Sequence, residues 1–450
     1  MRRLLFRAFW ATWVVQHWMS RRFTSAGLLV LGGILAASVV GLDTNRTLAY
    51  QAFTFLVALL AVALLASLTF RGRFSVRRVM PRFGTAGEPL KYRVFIRNDG
   101  PRPRRGLALL EDTADPRPSL PEFLAAREPG EERRNWFDRT VGYPRWMWLI
   151  GQRQGALAGV RDLPPLLPGV EVETRVETVP ARRGRLSLVG MTIARLDPFG
   201  LFRGFVRVSA PQSVLVLPRR YPVPDLDLPG ARKYQRGGVA LAASVGDSEE
   251  FASLRDYRPG DPLRRIHWRS WARVARPIVK EFQDEFFVRH ALVLDTFARG
   301  SGGAAEIFEE AVSVAASFAV AIPRQDSLLD LMFVGSEAYC FTAGRGLAHA
   351  DRMLEVLAGV EPCAGRSFHV LRDAVLERHG ELSGAICVLL DWDDERRAFV
   401  RALRARGVPT LSLVVTRAVE GDAETETAAD AALAPHRLIA GNIAEGLARL

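Results

Sequence analysis

His290-Ala291-Leu292-Val293-Leu294-Asp295-Thr296 is the stretch on which the fold turns. A strand that is wet on one side alternates apolar and polar residues, and this one does not. Its backbone must therefore be covered on both faces. Leu328–Val334, Ala385–Asp391 and Thr410–Val415 have the same character, and helical periodicity fills the gaps at Ala304–Ile322, Leu347–Leu357, Phe368–Arg378 and Glu395–Arg406, with a last helix at 442–450. Buried strands separated by helices predict a mostly parallel α/β sheet with helices on both sides, over residues 286–450. The acidic stretch Glu420–Asp430 reads as a solvated loop.

Upstream the pattern changes to period two. Lys91-Tyr92-Arg93-Val94-Phe95-Ile96-Arg97 alternates and ends at the turn formers Asn98-Asp99-Gly100, and Val170–Val176 and Phe205–Val208 alternate too. Such strands punctuated by Gly and Pro predict an antiparallel β-sandwich over 74–217. A long insertion at about 111–167 interrupts it. That insertion is Pro-rich, then charged from Arg127 to Arg134, then aromatic at Trp136, Phe137, Tyr143, Trp146 and Trp148. Its aromatic residues suit either contact with a membrane or partner, or a cover for the sandwich. Residues 218–285 combine a linker rich in Pro, Gly and Arg with a highly charged segment, Glu249–Glu281. The fold class is thus α/β plus β.

The N-terminal 82 residues carry eleven arginines against one acid, Asp43, whereas the remainder is close to neutral; the whole chain has a net charge of +12. The arginines surround two uncharged apolar stretches, Ala26–Leu42 and Leu48–Phe70, joined by Asp43-Thr44-Asn45-Arg46-Thr47. A helix rises about 1.5 Å per residue, so the second stretch spans a hydrocarbon core of about 30 Å and the first falls slightly short unless Phe23–Ser25 join it. The reading is a two-helix transmembrane hairpin over 23–70. Arginines on the outer flanks predict that both termini and the folded part are cytoplasmic, at a bacterial inner membrane. Residues 1–22 place Leu5, Phe6, Phe9, Trp10, Trp13, Val14 and Trp18 at helical spacing among arginines, which suits an amphipathic helix lying in the headgroup layer. A basic balance confined to these flanks is not the footprint of a nucleic-acid binder.

Three cysteines, Cys340, Cys363 and Cys387, lack CxxC spacing and read as reduced residues with no metal among them. No Gly-x-x-x-x-Gly-Lys loop is present, so the chain does not hydrolyse nucleotides by that route.

The densest concentration of chemistry is Glu249–Glu281. It runs Glu250-Phe251, Leu254-Arg255-Asp256-Tyr257-Arg258-Pro259-Gly260-Asp261, Arg264-Arg265-Ile266-His267-Trp268-Arg269-Ser270, Ala272-Arg273 and Val279-Lys280-Glu281. Pro259-Gly260 forces a turn that lets Asp261 cap the next few residues, and the arginine planes can stack on aromatic rings or fork onto carboxylates. Arg255, Tyr257, Arg258, Asp261, Arg265, His267, Trp268 and Arg273 are the candidate site residues. They form either a docking face for an acidic partner or an anion pocket, or else an internal ion-pair network that clamps the sandwich to the α/β domain. This segment resembles the signature of the domain-of-unknown-function family 58, with Asp256 where the family usually carries Glu. Arg183-Gly184-Arg185 and Asp197-Pro198-Phe199-Gly200-Leu201-Phe202 extend the resemblance, which runs in the family's order over roughly 70–420 and includes the leading membrane helices.

The resemblance implies a von Willebrand factor A-like C-terminal domain. Such domains often hold a divalent cation through Asp-x-Ser-x-Ser after the first strand and a later Asp. Here Asp295 and Asp391 match the acids, but Phe297 and Arg299 replace the serines, so the expectation is a degenerate site without metal. The resemblance also implies work with a MoxR-type AAA+ ATPase on membrane or envelope clients. The expected function is that of a non-enzymatic membrane-anchored adaptor without cofactors, its partners being the lipid membrane and that ATPase. Two alternatives remain open. One is an enzyme acting on an anionic or envelope-precursor substrate around Asp261 and His267, and the other is a cation-dependent adhesion module at Asp295.

Overall fold

The computed structural model describes residues 2–41, 47–126, 128, 131, 134–224, 250–259, 261, 263, 266–283, 288–297, 304–322, 327–343, 347–363, 366–417 and 433–450. The chain divides into two compact units, Met1–Leu217 and Pro218–Leu450. It is mixed α/β with several sheets.

The first unit opens with helices α1 (Arg2–Arg22), α2 (Ser25–Gly41) and α3 (Thr47–Leu68). Among the described residues α3 is the helix long and apolar enough to cross a membrane, and α2 is apolar but shorter. The two pack along each other: a Cβ built on Gly33 would stand 3.3 Å from Leu56 Cδ1. Asp43–Arg46, read as the turn between them, lie outside the described residues.

Strands β1 (Phe74–Val79), β2 (Phe83–Thr85), β3 (Leu90–Asn98) and β4 (Leu107–Thr113) come next along the chain. Short helices α4 (Leu120–Ala125), α5 (Trp136–Val141) and α6 (Tyr143–Arg153) lead into β5 (Ala156–Ala158), β6 (Arg161–Leu163), β7 (Glu171–Pro180), β8 (Gly184–Leu196) and β9 (Arg203–Leu217). One sheet runs β1-β3-β7-β5 and the other β2-β9-β8-β4-β6; every pairing is antiparallel except β2 with β9. The alternation of β3 sends Leu90, Tyr92, Val94 and Ile96 inward, where they share one core with Leu107, Leu109, Met191 and Ile193 of the second sheet. The expected interruption is shorter than the sequence suggests. β4 continues through Glu111–Thr113, and β5 and β6, three residues each and too short to show a period, belong to the sheets.

A charged network crosses this core. The buried Arg78 guanidinium pairs with Glu111 and donates to the Gly190 carbonyl at 2.6 Å, while the Tyr92 hydroxyl donates to Glu111 at 2.7 Å. Burial and the Glu111 carboxylate push the Tyr92 phenol well above its usual range.

α1 is helical as expected, and much of its aromatic side meets the protein itself. Phe6, Phe9 and Trp13 pack on Phe123, Trp146, Leu149 and Ile150 of α4 and α6. Trp146, 1% exposed, has its ring 5.4 Å from Phe6. Trp136, by contrast, is 77% exposed. The insertion's aromatic residues thus divide between cover and free surface.

The second unit begins with a two-stranded antiparallel ribbon, β10 (Glu250–Asp256) and β11 (Ile278–Gln283), with α7 (Trp268–Val274) in the connection. β12 (Val288–Leu294), α8 (Ala304–Ala321), β13 (Ser327–Val334), β14 (Ala338–Ala343), α9 (Leu347–Ala358) and α10 (His369–Glu377) succeed it. The chain continues through β15 (Gly384–Leu389), α11 (Asp394–Ala405), β16 (Thr410–Thr416), β17 (His436–Ile439) and α12 (Ile443–Leu447). The six strands lie in the order β14-β13-β12-β15-β16-β17, parallel except for β14 on one edge. α10 and α11 cover one face through Leu371, Val375, Phe399, Val400 and Leu403; α8 lies against β12, β15 and β16. The order reverses between β12 and β15, which leaves a crevice at their carboxyl ends, where open α/β sheets place ligand sites. The Glu420–Asp430 stretch lies outside the described residues.

Candidate functional site

The charged segment folds back on its own ribbon. Ile266 and Val279 are buried and bridge α7's approach to β11, and the His267 and Tyr257 amides donate to the carbonyls of Ile278 (2.8 Å) and Pro277 (3.0 Å). At the turn, Arg255 forks onto Asp261 through two 2.8 Å bonds, and Asp261 Oδ2 also accepts from the Arg258 amide at 2.8 Å. The Arg255 fork, then the Arg258 amide, hold the Asp261 carboxyl down to about 2. Arg255 and Asp261 therefore clamp this turn locally, six residues apart along the chain.

The side chains of the other described signature residues do not join it. His267 Nδ1 lies 2.6 Å from Ser270 Oγ, one turn along α7. Trp268 stacks on Trp271, with ring centroids 5.1 Å apart, and is 64% exposed. A ring so exposed, with one stacked face, has little buried area to contribute to stability. The side chains of Arg258, Arg269 and Arg273 are exposed, and among the described residues no carboxylate pairs with them. Gly260, Arg264 and Arg265 lie outside the described residues.

A second constellation sits at the crevice of the six-stranded sheet. Asp295, just beyond β12, is fully buried. Its Oδ1 accepts from the Phe297 amide (2.9 Å), and its Oδ2 accepts from the Leu390 amide (3.2 Å) and from Arg396 Nε (2.6 Å). Arg396, equally buried in the first turn of α11, also bonds Asp393 at 2.6 Å and lies 4.9 Å from the Phe368 ring centroid. Burial works against the Arg396 charge, but Asp295 and Asp393 outweigh it and raise its pKa. Asp391 is exposed and takes the Trp392 amide at 2.7 Å. Asp295 is thus paired with a guanidinium of the chain itself, and the charge of Asp391 also acts on Arg396. Among the described residues no group of three or more His, Cys, Asp or Glu is arranged to hold a metal. Arg299 lies outside the described residues.

Arg396 is not marked by any sequence motif. The available signal is a cation after Asp393-Asp394-Glu395 at a helix start, where the dipole favours acids. In the first unit, Asp197 of the Asp-Pro-Phe-Gly motif accepts from the amides of Phe199, Leu201 and Phe202 at 2.7–2.8 Å. That carboxylate shapes the β8–β9 turn, on which Thr24, at the entry to α2, is bonded through the carbonyls of Gly200 and Leu201.

Comparison with known proteins places these features. The uncharacterized protein YeaD of Bacillus subtilis (strain 168) is 30% identical over 128 residues, which is 28% of this chain and 31% of the relative; the chain thus spans about a third of that relative's length. The CARDB domain of PF1109 from Pyrococcus furiosus aligns with 32% of this chain and 93% of its own at 12% identity and a TM-score of 0.17. A β-glucosidase from Listeria innocua aligns with 32% of this chain and 16% of its own at 13% identity and the same TM-score. Both scores are too low to bear on fold or activity. Residues 253–416 match the family described as "Protein of unknown function DUF58". That segment, which holds the Arg255–Asp261 clamp and five strands of the six-stranded sheet, is similar to the DUF58 family.

Proposed function

We propose that this chain is a membrane-anchored interaction protein that presents a cationic and aromatic face to an acidic partner. One observation carries the reading: Arg258, Trp268, Arg269 and Arg273 stand exposed, the first on the turn clamped by Arg255–Asp261 and the others on α7, whose start is tied to β11 through the His267 amide. Arginine and tryptophan are the residue types that dominate interface energetics, and unpaired surface arginines steer an acidic partner. The family resemblance supplies a MoxR-type AAA+ ATPase as that partner.

The anchor is α2 with α3, read as a transmembrane hairpin. Support comes from the apolar length of α3, from the packing of α2 along it, and from the arginines outside both helices, which favour a cytoplasmic location for the folded units. The six-stranded unit reads as von Willebrand factor A-like; its strand order and antiparallel edge strand support that reading.

A second reading, an enzyme for an anionic substrate, draws on the His267–Ser270 contact. A catalytic base needs a third group to orient it, and among the described residues none bonds the other ring nitrogen. The interaction reading stands ahead for that reason.

The test is capture of a purified MoxR-type ATPase by the full chain in detergent. Arg258→Glu combined with Arg273→Glu should weaken capture at least tenfold and move the melting temperature little, since both side chains are exposed. Undiminished capture by the double variant would remove the docking face. Turnover of a substrate that is lost on His267→Ala, with the melt unchanged, would replace the interaction reading with the enzymatic one.

A further inference from the structure

The outer face of the five-stranded sheet lies under α1. Along β9, Val206 and Val208 turn into the sandwich core, so Phe205 and Arg207 point the other way. The last turns of α1 bring Trp18, Arg21 and Arg22 to the same place, with the Arg22 guanidinium 4.8 Å from the Phe205 ring centroid. Between helix and sheet remains a cavity of about 330 Å³ lined by Trp10, Trp13, Trp18, Arg22, Phe205 and Arg207, among others.

The charges around this cavity are unevenly matched. Arg21 is paired with Asp112 at 2.6 Å, and Arg117 with Asp115 at 2.8 Å. Among the described residues no carboxylate pairs with Arg22 or Arg207. Burial and then the facing charge of Arg207 lower the pKa of Arg22, and burial followed by Arg21 and Arg117 does the same to His17 at the rim. Two cations thus face the cavity without a carboxylate of the described residues to match them.

Its position says which anion. A Cβ on Gly27, in the first turn of α2, would overlap the Leu201 carbonyl, and one on Gly204 would lie 2.6 Å from the Ser67 carbonyl near the end of α3. Both apolar helices therefore meet the protein at the start of β9. Arg207 is three residues further along that strand, about 10 Å, and Arg22 is three residues before α2 begins. The cavity lies where the apolar helices emerge, at the depth of lipid headgroups, and its tryptophans are the residue type that settles at that depth.

We propose that this cavity binds the phosphate of an anionic lipid headgroup. Arg22 and Arg207 fork onto the phosphate oxygens, and Trp10, Trp13 and Trp18 cover the rest of the headgroup. The proposal rests on the membrane-anchor reading.

The test uses the full chain in lipid nanodiscs of phosphatidylcholine alone or of phosphatidylcholine with phosphatidylglycerol. Melting is followed by tryptophan fluorescence. A ligand that binds only the folded state raises the melting temperature, so discs with phosphatidylglycerol should melt a few degrees higher. Arg22→Gln and Arg207→Gln should each abolish that difference, and Arg161→Gln, exposed on edge strand β6, should keep it. Equal melting in both discs, or a difference that survives both cavity variants, overturns the proposal. Millimolar inorganic phosphate that reproduces the shift in phosphatidylcholine discs overturns the lipid assignment. A chain that fails to enter discs at all overturns the anchor reading and this proposal with it, whereas entry without lipid preference overturns this proposal alone.

Discussion

Arg396 is a cation in the first turn of a helix, where the dipole disfavours it, and it is also fully buried. It persists because Asp295 and Asp393 surround it and an Nη2 N–H donates to the Phe297 carbonyl at 3.2 Å. Removing one member of such a pair strands the other charge away from water. Arg396→Ala should therefore lower the unfolding free energy by about 3–5 kcal/mol, measured by chemical denaturation of the full chain. The double replacement Asp295→Asn with Arg396→Met should cost less than Arg396→Ala alone, because no charge is left behind. Asp261 makes the contrasting case at an exposed turn. Its carboxyl is held down to about 2, below the usual value of 3.8, by Arg255 and the Arg258 amide. A depressed acid contributes stability that is complete above its unfolded value and is lost as pH falls through the folded one. The melting difference between the parent and Asp261→Asn should thus be constant above about pH 5, decline through about pH 2 and vanish only near pH 1. The clamp is legible in sequence because Pro-Gly announces the turn and an Asp beyond it has few other uses. The exposure of Trp268 is not, since a tryptophan among arginines reads alike whether it is buried or stacked on a neighbour.

At the scale of elements, what the sequence makes visible is what carries a period. β12, β13, β15 and β16 lack a wet face and are identifiable for that reason. β14 escapes notice because it is an edge strand reached by a short hairpin through Gly335 and Ser336, and β17 because four residues beginning with His436-Arg437 show no pattern. The β10–β11 ribbon reads as linker, since charges on both faces of a two-stranded ribbon hide its alternation. The docking of α1 onto α4 and α6 is equally hidden, because an aromatic helix face looks the same whether it meets lipid or protein. Trp146 is the centre of that contact, touching Phe6, Phe9 and Phe123. Trp146→Ala should cost about 3–5 kcal/mol and should release α1, seen as faster proteolysis within residues 2–22. A large loss of stability with α1 still protected would mean that the helix is held by the sheet alone.

For the whole molecule, the asymmetry of charge has two owners. Arg78 lies inside the sandwich with Glu111, Arg21 is bound to Asp112 and Arg77 pairs with Glu171, so part of the N-terminal arginine set serves the folded unit. The others still bracket the apolar helices, and the expected topology keeps both folded units on the cytoplasmic side. Single cysteines introduced at exposed positions such as Arg161 and Arg273, in a background without Cys340, Cys363 and Cys387, should resist impermeant maleimide in intact cells and react after lysis. Labelling in intact cells would reverse the orientation. The buried guanidinium of the second unit bears on how this protein meets its surroundings. A sheet whose central carboxylate is neutralised by a diffusible ion has a shape that depends on the supply of that ion and the chelators competing for it. Here the counter-charge is covalently part of the polypeptide, made once during synthesis and never exchanged, so the Asp295 charge is met by the chain's own guanidinium.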